Sequence, residues 1–171
     1  MTKTANEHSM QSSHDVSSPD VGKLRPLVVD IDGTLVRSDF FYECLLQCVK
    51  HKLWTIPALI FWVLRGKAHL KARLYEHGGE YVSPDFLPYR PEVRRFIEEA
   101  AQAERPIILA SGSDARFVDS VAKHLELEGP HFGSSGGVNL TSSRKAERLV
   151  RSFPDGFDYI GNSSADIAVW K

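Results

Sequence analysis

The chain has 171 residues, 42% of them hydrophobic, which is enough for one ordinary core and too little for a second full-sized domain. Lys and Arg number 21 against 22 for Asp and Glu, and a formal net charge of -1 gives no bulk attraction to a phosphate backbone, arguing against a nucleic-acid partner. Two cysteines, Cys44 and Cys48, and no N-terminal apolar run of signal-peptide type predict a reducing, cytoplasmic setting.

Residues 1–24 are rich in Ser, Thr, Asn, Asp and His, and are expected to form a disordered polar tail in which His8 and His14 have no role. Residues 26–31 are β-branched and nearly all apolar, as in a strand buried on both faces of a parallel sheet, and lead into Asp30-Ile31-Asp32-Gly33-Thr34. Ser38 or Asp39 then caps a helix predicted over residues 40–50, with Phe41, Leu45, Cys48 and Val49 near helical spacing. Cys44 and Cys48 share one face of it. Without further ligands at zinc spacing they read as small core residues.

From Leu53 to Leu64 the chain is almost wholly apolar, yet these twelve residues fall short of the ~20 that span a bilayer. Lys50 and Lys52 precede the run, and Arg65, Lys67, Lys71 and Arg73 follow it. Two readings stay open: an interfacial contact with a membrane or an apolar partner, or a helix packed inside an insert.

Residues 76–90 are read as loops, after which Pro91 opens a helix with Val93, Phe96, Ile97 and Ala100 on one stripe. Residues 106–110 form a second predicted strand, ending in Ser111-Gly112-Ser113-Asp114. Asp114 is read as the N-cap of a helix to about 125, with Phe117, Val121 and Leu125 inward. Residues 131–135 suggest a third strand closed by Gly136-Gly137, residues 143–152 a helix carrying Lys145, and residues 157–160 a fourth strand ending at Gly161-Asn162-Ser163-Ser164-Ala165-Asp166. Strands alternating with helices predict an α/β fold, a Rossmann-like doubly wound parallel sheet whose ligands sit at the carboxyl ends of its strands.

The polar clusters fall at those ends. Two aspartates at the end of a buried strand are costly unless a cation, hydrogen bonds or a substrate compensate them. Asp30, Asp32, Asn162 and Asp166 offer oxygen ligands suited to Mg2+. Ser111, the backbone around Gly112, and Lys145 suit a phosphoryl group. Asp30 can then act as nucleophile toward phosphorus, and Asp32 as general acid and later base.

In order and spacing, these residues resemble the four motifs of the haloacid dehalogenase superfamily, over residues 26–171. Asp30 to Thr34 is similar to the first motif, residues 107–111 to the second, Lys145 to the third, and Gly161 to Asp166 to the fourth. The resemblance implies a Mg2+-dependent phosphomonoester hydrolase working through an aspartyl-phosphate on Asp30. It also implies a helical cap insert at residues 39–88, between core segments 25–38 and 89–171, with Phe40, Trp54, Trp62, Arg65 and Lys67 as candidates for lining its entrance. Within the superfamily, the Gly-Asn-Ser-x-Ala-Asp form of the fourth motif and the Trp soon after it resemble the domain fused to UbiA-type membrane prenyltransferases. That implies an isoprenoid phosphate as substrate, a sugar phosphate being the other candidate, and a membrane-adjacent setting for residues 53–64.

Two departures bear on activity. Asn162 stands where most members carry aspartate, which keeps a carbonyl oxygen but removes a charge and weakens Mg2+ binding. The chain stops at Lys171, where the family continues with another helix and strand, so a truncated C-terminal part, with the fourth strand as an edge, is expected. These departures keep two alternatives in view: a weakly active or inactive docking module of a membrane prenyltransferase, and a phosphotransferase that uses the same site.

Overall fold

The computed structural model describes residues 24–135, 138–140, 142–162 and 166–170. The expected tail up to residue 23, Gly136-Gly137 and Ser163 to Ala165 lie outside the described residues. Four strands, β1 (Leu27–Val29), β2 (Ile107–Asp114), β3 (Phe132–Ser134) and β4 (Asp158–Ile160), form one parallel sheet in the order β3-β2-β1-β4. β1 runs down its middle, with Val28 opposite Ile108 on one side and Tyr159 on the other.

Successive β1 side chains point to opposite faces, so a strand covered on both must be apolar throughout. Leu27 and Val29 join a cluster with Leu109, Val93 and Ile97 of α4 (Pro91–Gln102), and Phe117 and Val121 of α5 (Ala115–His124). Val28 joins the opposite one, with Ile108, Ala110, Phe132 and Leu149 of α6 (Ser143–Ser152). Helices on both faces make the sheet doubly wound. Pro91 takes the first turn of α4, and Asp114 caps α5 by accepting from the Arg116 N–H at 3.0 Å.

β2 outruns its expected end at residue 110. Its pairing with β3 slips between Ala110 and Asp114, an irregularity of the kind that re-aims side chains beside functional sites. A short helix, α7 (Ile167–Trp170), follows the fourth motif and had no signal of its own in the sequence.

Between β1 and β2 lie α1 (Phe40–His51), capped by Asp39, then α2 (Thr55–Leu64) and α3 (Lys67–Gly78). α3 corrects the expectation of loop from residue 76: the helix runs on to Gly78, and Lys67, Lys71 and Arg73 lie on it instead of merely flanking the apolar run. Its Leu74 is buried against α1, and Gly78 lets the two helices close on each other. A Cβ on Gly78 would overlap the Cys44 carbonyl and lie 2.9 Å from Cys48 Sγ. Both cysteines are buried free thiols, and burial pushes both up, the inert state expected of core cysteines.

Phe40 stacks on Phe117 with centroids 3.4 Å apart, and Trp62 stacks on His77 at 5.2 Å. Phe40, Cys44, Cys48, Trp62 and Leu74 thereby belong to the same apolar cluster as the sheet. Phe40 and Trp62, expected at an entrance, are core residues instead. Among the described residues, no helix is long and apolar enough to cross a membrane.

Candidate active site

After Val29 the ladder continues one step, Asp30 N–H donating to the Ile160 carbonyl at 2.9 Å, and the chain then turns. The Thr34 and Val36 N–H groups both donate to the Ile31 carbonyl, and Gly33 takes a φ of 72° in the left-handed region that favours glycine. The turn sends the two aspartates in different directions.

Asp30 faces β4 and α6. Lys145 Nζ donates to its Oδ1 at 2.8 Å, and the Thr34 hydroxyl donates to its Oδ2 at 3.0 Å. Lys145 is 4% exposed, and its ammonium also reaches Asp166 Oδ1 at 3.0 Å and the Tyr159 hydroxyl at 2.9 Å. The Tyr159 hydroxyl in turn donates a hydrogen bond to Asp166 Oδ1 at 2.6 Å. One buried cation therefore serves two buried carboxylates, with a phenol completing the set. Burial pushes the Asp30 carboxyl up to about 6, against the pull of Lys145 and with the repulsion of Asp166 and Asp32 adding to the rise. Burial and the neighbouring carboxylates push the Tyr159 phenol far up, so it remains a protonated donor.

Asp32 faces the other way, toward β2 and α1. Its Oδ1 accepts from the Phe40 N–H at 2.9 Å, and its Oδ2 accepts from both the Ser111 and Ser113 hydroxyls at 2.6 Å. Residues two apart on a strand share a face, which is why both serines reach one oxygen. The Ser113 N–H donates to Ser111 Oγ at 2.9 Å, and Lys71 of α3 donates to the Gly112 carbonyl at 2.8 Å. Ser111 and Gly112, expected to hold phosphate, are here tied to Asp32 and Lys71.

Asn162 is exposed at the end of β4. Its Nδ2 donates to the Gly33 carbonyl at 2.5 Å, and its Oδ1 accepts from Thr34 Oγ1 at 3.2 Å. Asp30 Oδ2 and Asn162 Oδ1 thus converge on a hydroxyl whose single proton fully satisfies only one of them. Hard oxygens converging beside Asp166 are a donor chemistry that fits Mg2+. The Asp32 side chain does not join them, because its oxygens face Phe40 and the serines. Among the described residues, no group of three or more His, Cys, Asp or Glu gathers as a ready cation cage.

The structure therefore brings Asp30, Lys145 and Asp166 together, joins Asn162 to them through Thr34, and couples Asp32 to Ser111. Sequence reasoning missed Thr34, Ser113, Tyr159 and Lys71. The Ser-Gly-Ser alternation was a signal for Ser113; Tyr159 and Lys71 had none.

No known family model matches the chain. It is 38% identical over 150 residues to the uncharacterized protein y4nM of Sinorhizobium fredii, a match covering 85% of this chain and 28% of that protein. The chain thus spans little more than a quarter of that relative's length. Among solved structures it is similar to a HAD family hydrolase, t0658, from Salmonella enterica serovar Typhi, with a TM-score of 0.56 and 13% identity over 85% of this chain and 60% of that one. It is also similar to a protein of unknown function from Bordetella pertussis Tohama I, with a TM-score of 0.52 and 12% identity over 80% of this chain and 77% of that one.

Proposed function

We propose, for a chain that carries the fold of the HAD hydrolases, that it hydrolyses phosphomonoesters through Asp30. The observation that carries this reading is the buried Asp30 carboxylate at the end of β1, held between Lys145 and Thr34, with Asp32 two residues on. An Asp30 oxygen attacks phosphorus while the bond to the leaving oxygen breaks, and Asp32 gives that oxygen a proton. Water then attacks the aspartyl-phosphate, Asp32 takes its proton, and phosphate leaves with Asp30 restored. The two serine hydroxyls hold Asp32 in place, and one of them turns from donor to acceptor whenever Asp32 carries the proton. Lys145 offsets negative charge beside the nucleophile.

Mg2+ held by Asp30, Asn162 and Asp166 would supply further neutralisation at the phosphoryl oxygens. Asn162 lowers the charge of that donor set, so the affinity is expected to be modest. An isoprenoid or sugar phosphate is the substrate class proposed, the former through the resemblance to the UbiA-associated domains. Assayed on an aryl phosphate, the protein is expected to turn over only with Mg2+, and Asp30→Asn to abolish turnover. Undetectable turnover, or turnover indifferent to that substitution, would overturn the reading.

A second reading has an observation of its own. Asn162 braces the Gly33 turn with its amide, a structural duty that a non-catalytic docking module would retain. Magnesium titration separates the two, since a module without affinity at millimolar Mg2+ cannot run this chemistry. Transfer to an alcohol instead of water, read by product analysis, would mark a phosphotransferase.

A further inference from the structure

α2 is the least sheltered apolar element among the described residues. Thr55 and Trp62 are buried, but Trp54, Ile56, Phe61 and Val63 face solvent, as do Ile60 at 70% and Leu64 at 81% exposure. Its charge setting is as uneven as its burial. Residues 44–75 contain six Lys or Arg and no Asp or Glu, which leaves the rest of the chain at -7, 15 basic residues against 22 acidic. Lys52 and Arg73 pair with Glu80 and Glu76, and Lys71 is held by the Gly112 carbonyl. Lys50, Arg65 and Lys67 are exposed and have no carboxylate partner among the described residues, with Arg65 lying over the Phe61 ring at 4.5 Å.

We propose that α2, with Lys50 at one end and Arg65 and Lys67 at the other, seats the protein on an anionic lipid surface, lying along the interface. Ten residues of helix reach about 15 Å, too short to cross a bilayer but long enough to bury one apolar side among the acyl chains. The charge pattern selects this occupant. Both ends of α2 are basic, so a second copy laid along it in either direction brings like charge against like charge, whereas anionic headgroups neutralise both ends. Trp54 near the N-terminal end suits the headgroup boundary, where indole is favoured.

The test is co-sedimentation of the full chain with phosphatidylcholine vesicles, with and without phosphatidylglycerol. Binding is expected only with the anionic lipid, and about tenfold weaker once salt shortens the screening length. Lys50→Glu with Lys67→Glu should abolish it, and Ile60→Ser with Leu64→Ser should weaken it, with circular dichroism confirming that each variant is folded. Equal binding to neutral vesicles, binding unchanged by either double variant, or no binding with self-association through α2 in ultracentrifugation would overturn it. The readout needs no substrate, so failure here leaves the phosphatase reading standing.

Discussion

The sheet end and α2 depart from the usual sorting of side chains in opposite senses. At the carboxyl ends of β1 and β4, two carboxylates and an ammonium are withdrawn from water. On α2, a row of large apolar side chains is left in it. The first departure is compensated inside the molecule, because Lys145 reaches Asp30, Asp166 and Tyr159 together. The second has no compensation within the described residues. Buried charge is tolerated where partners are assembled around it, and exposed apolar surface is a reason to look for a partner outside.

The largest loss is expected at Lys145. Lys145→Ala leaves Asp30 and Asp166 buried without their cation and is expected to cost about 3–5 kcal/mol in urea unfolding. A charge-pH test sharpens the same point. Folded Asp30 keeps its proton until about pH 6, while the unfolded carboxyl releases it near 3.8, so its contribution to stability falls as pH rises between those values. In metal-free buffer, Asp30→Asn should therefore gain on the parent protein by about 2 kcal/mol between pH 4 and pH 7, read from paired denaturation curves. No gain would mean that Lys145 outweighs burial.

Gly78→Ala comes next. Its Cβ meets backbone at the α1–α3 crossing, where a shift must move a whole helix, and a loss of about 2 kcal/mol is expected. Tyr159→Phe removes one hydroxyl from the buried cluster and should cost roughly 1–2 kcal/mol, with Lys145 and Asp30 still paired. The smallest effect belongs to α2. Ile60→Ser with Leu64→Ser should leave stability within about 0.5 kcal/mol per site, since neither side chain is packed. A large loss there would show that α2 is structural and not a free surface.

Much of the sheet end was legible beforehand because its signals are local. An apolar run closed by Asp30-Ile31-Asp32-Gly33 states a buried strand, a turn and two acids in consecutive residues, and Lys145 sits on a helix whose bounds the pattern placed at 143–152. Which way each acid faces was not legible. The Gly33 turn sends Asp30 toward α6 and Asp32 toward Ser111 and Ser113, contacts separated by 115, 79 and 81 positions in the chain. The insert was harder still. α3 buries Leu74 beneath a mostly polar and basic surface, so periodicity barely marked it, and Phe40 and Trp62 went into the core where an entrance was expected.

By itself, then, the sequence determined the alternation of strands and helices, the acids at the end of β1 and the short apolar run of α2. Each follows from residues a few positions apart. Only the tertiary structure decided that one lysine would hold two carboxylates and that α2 would keep its apolar side in water. A side chain's solvation depends on what the fold brings against it, and a helix that is apolar all round has no polar face to state which side will be covered.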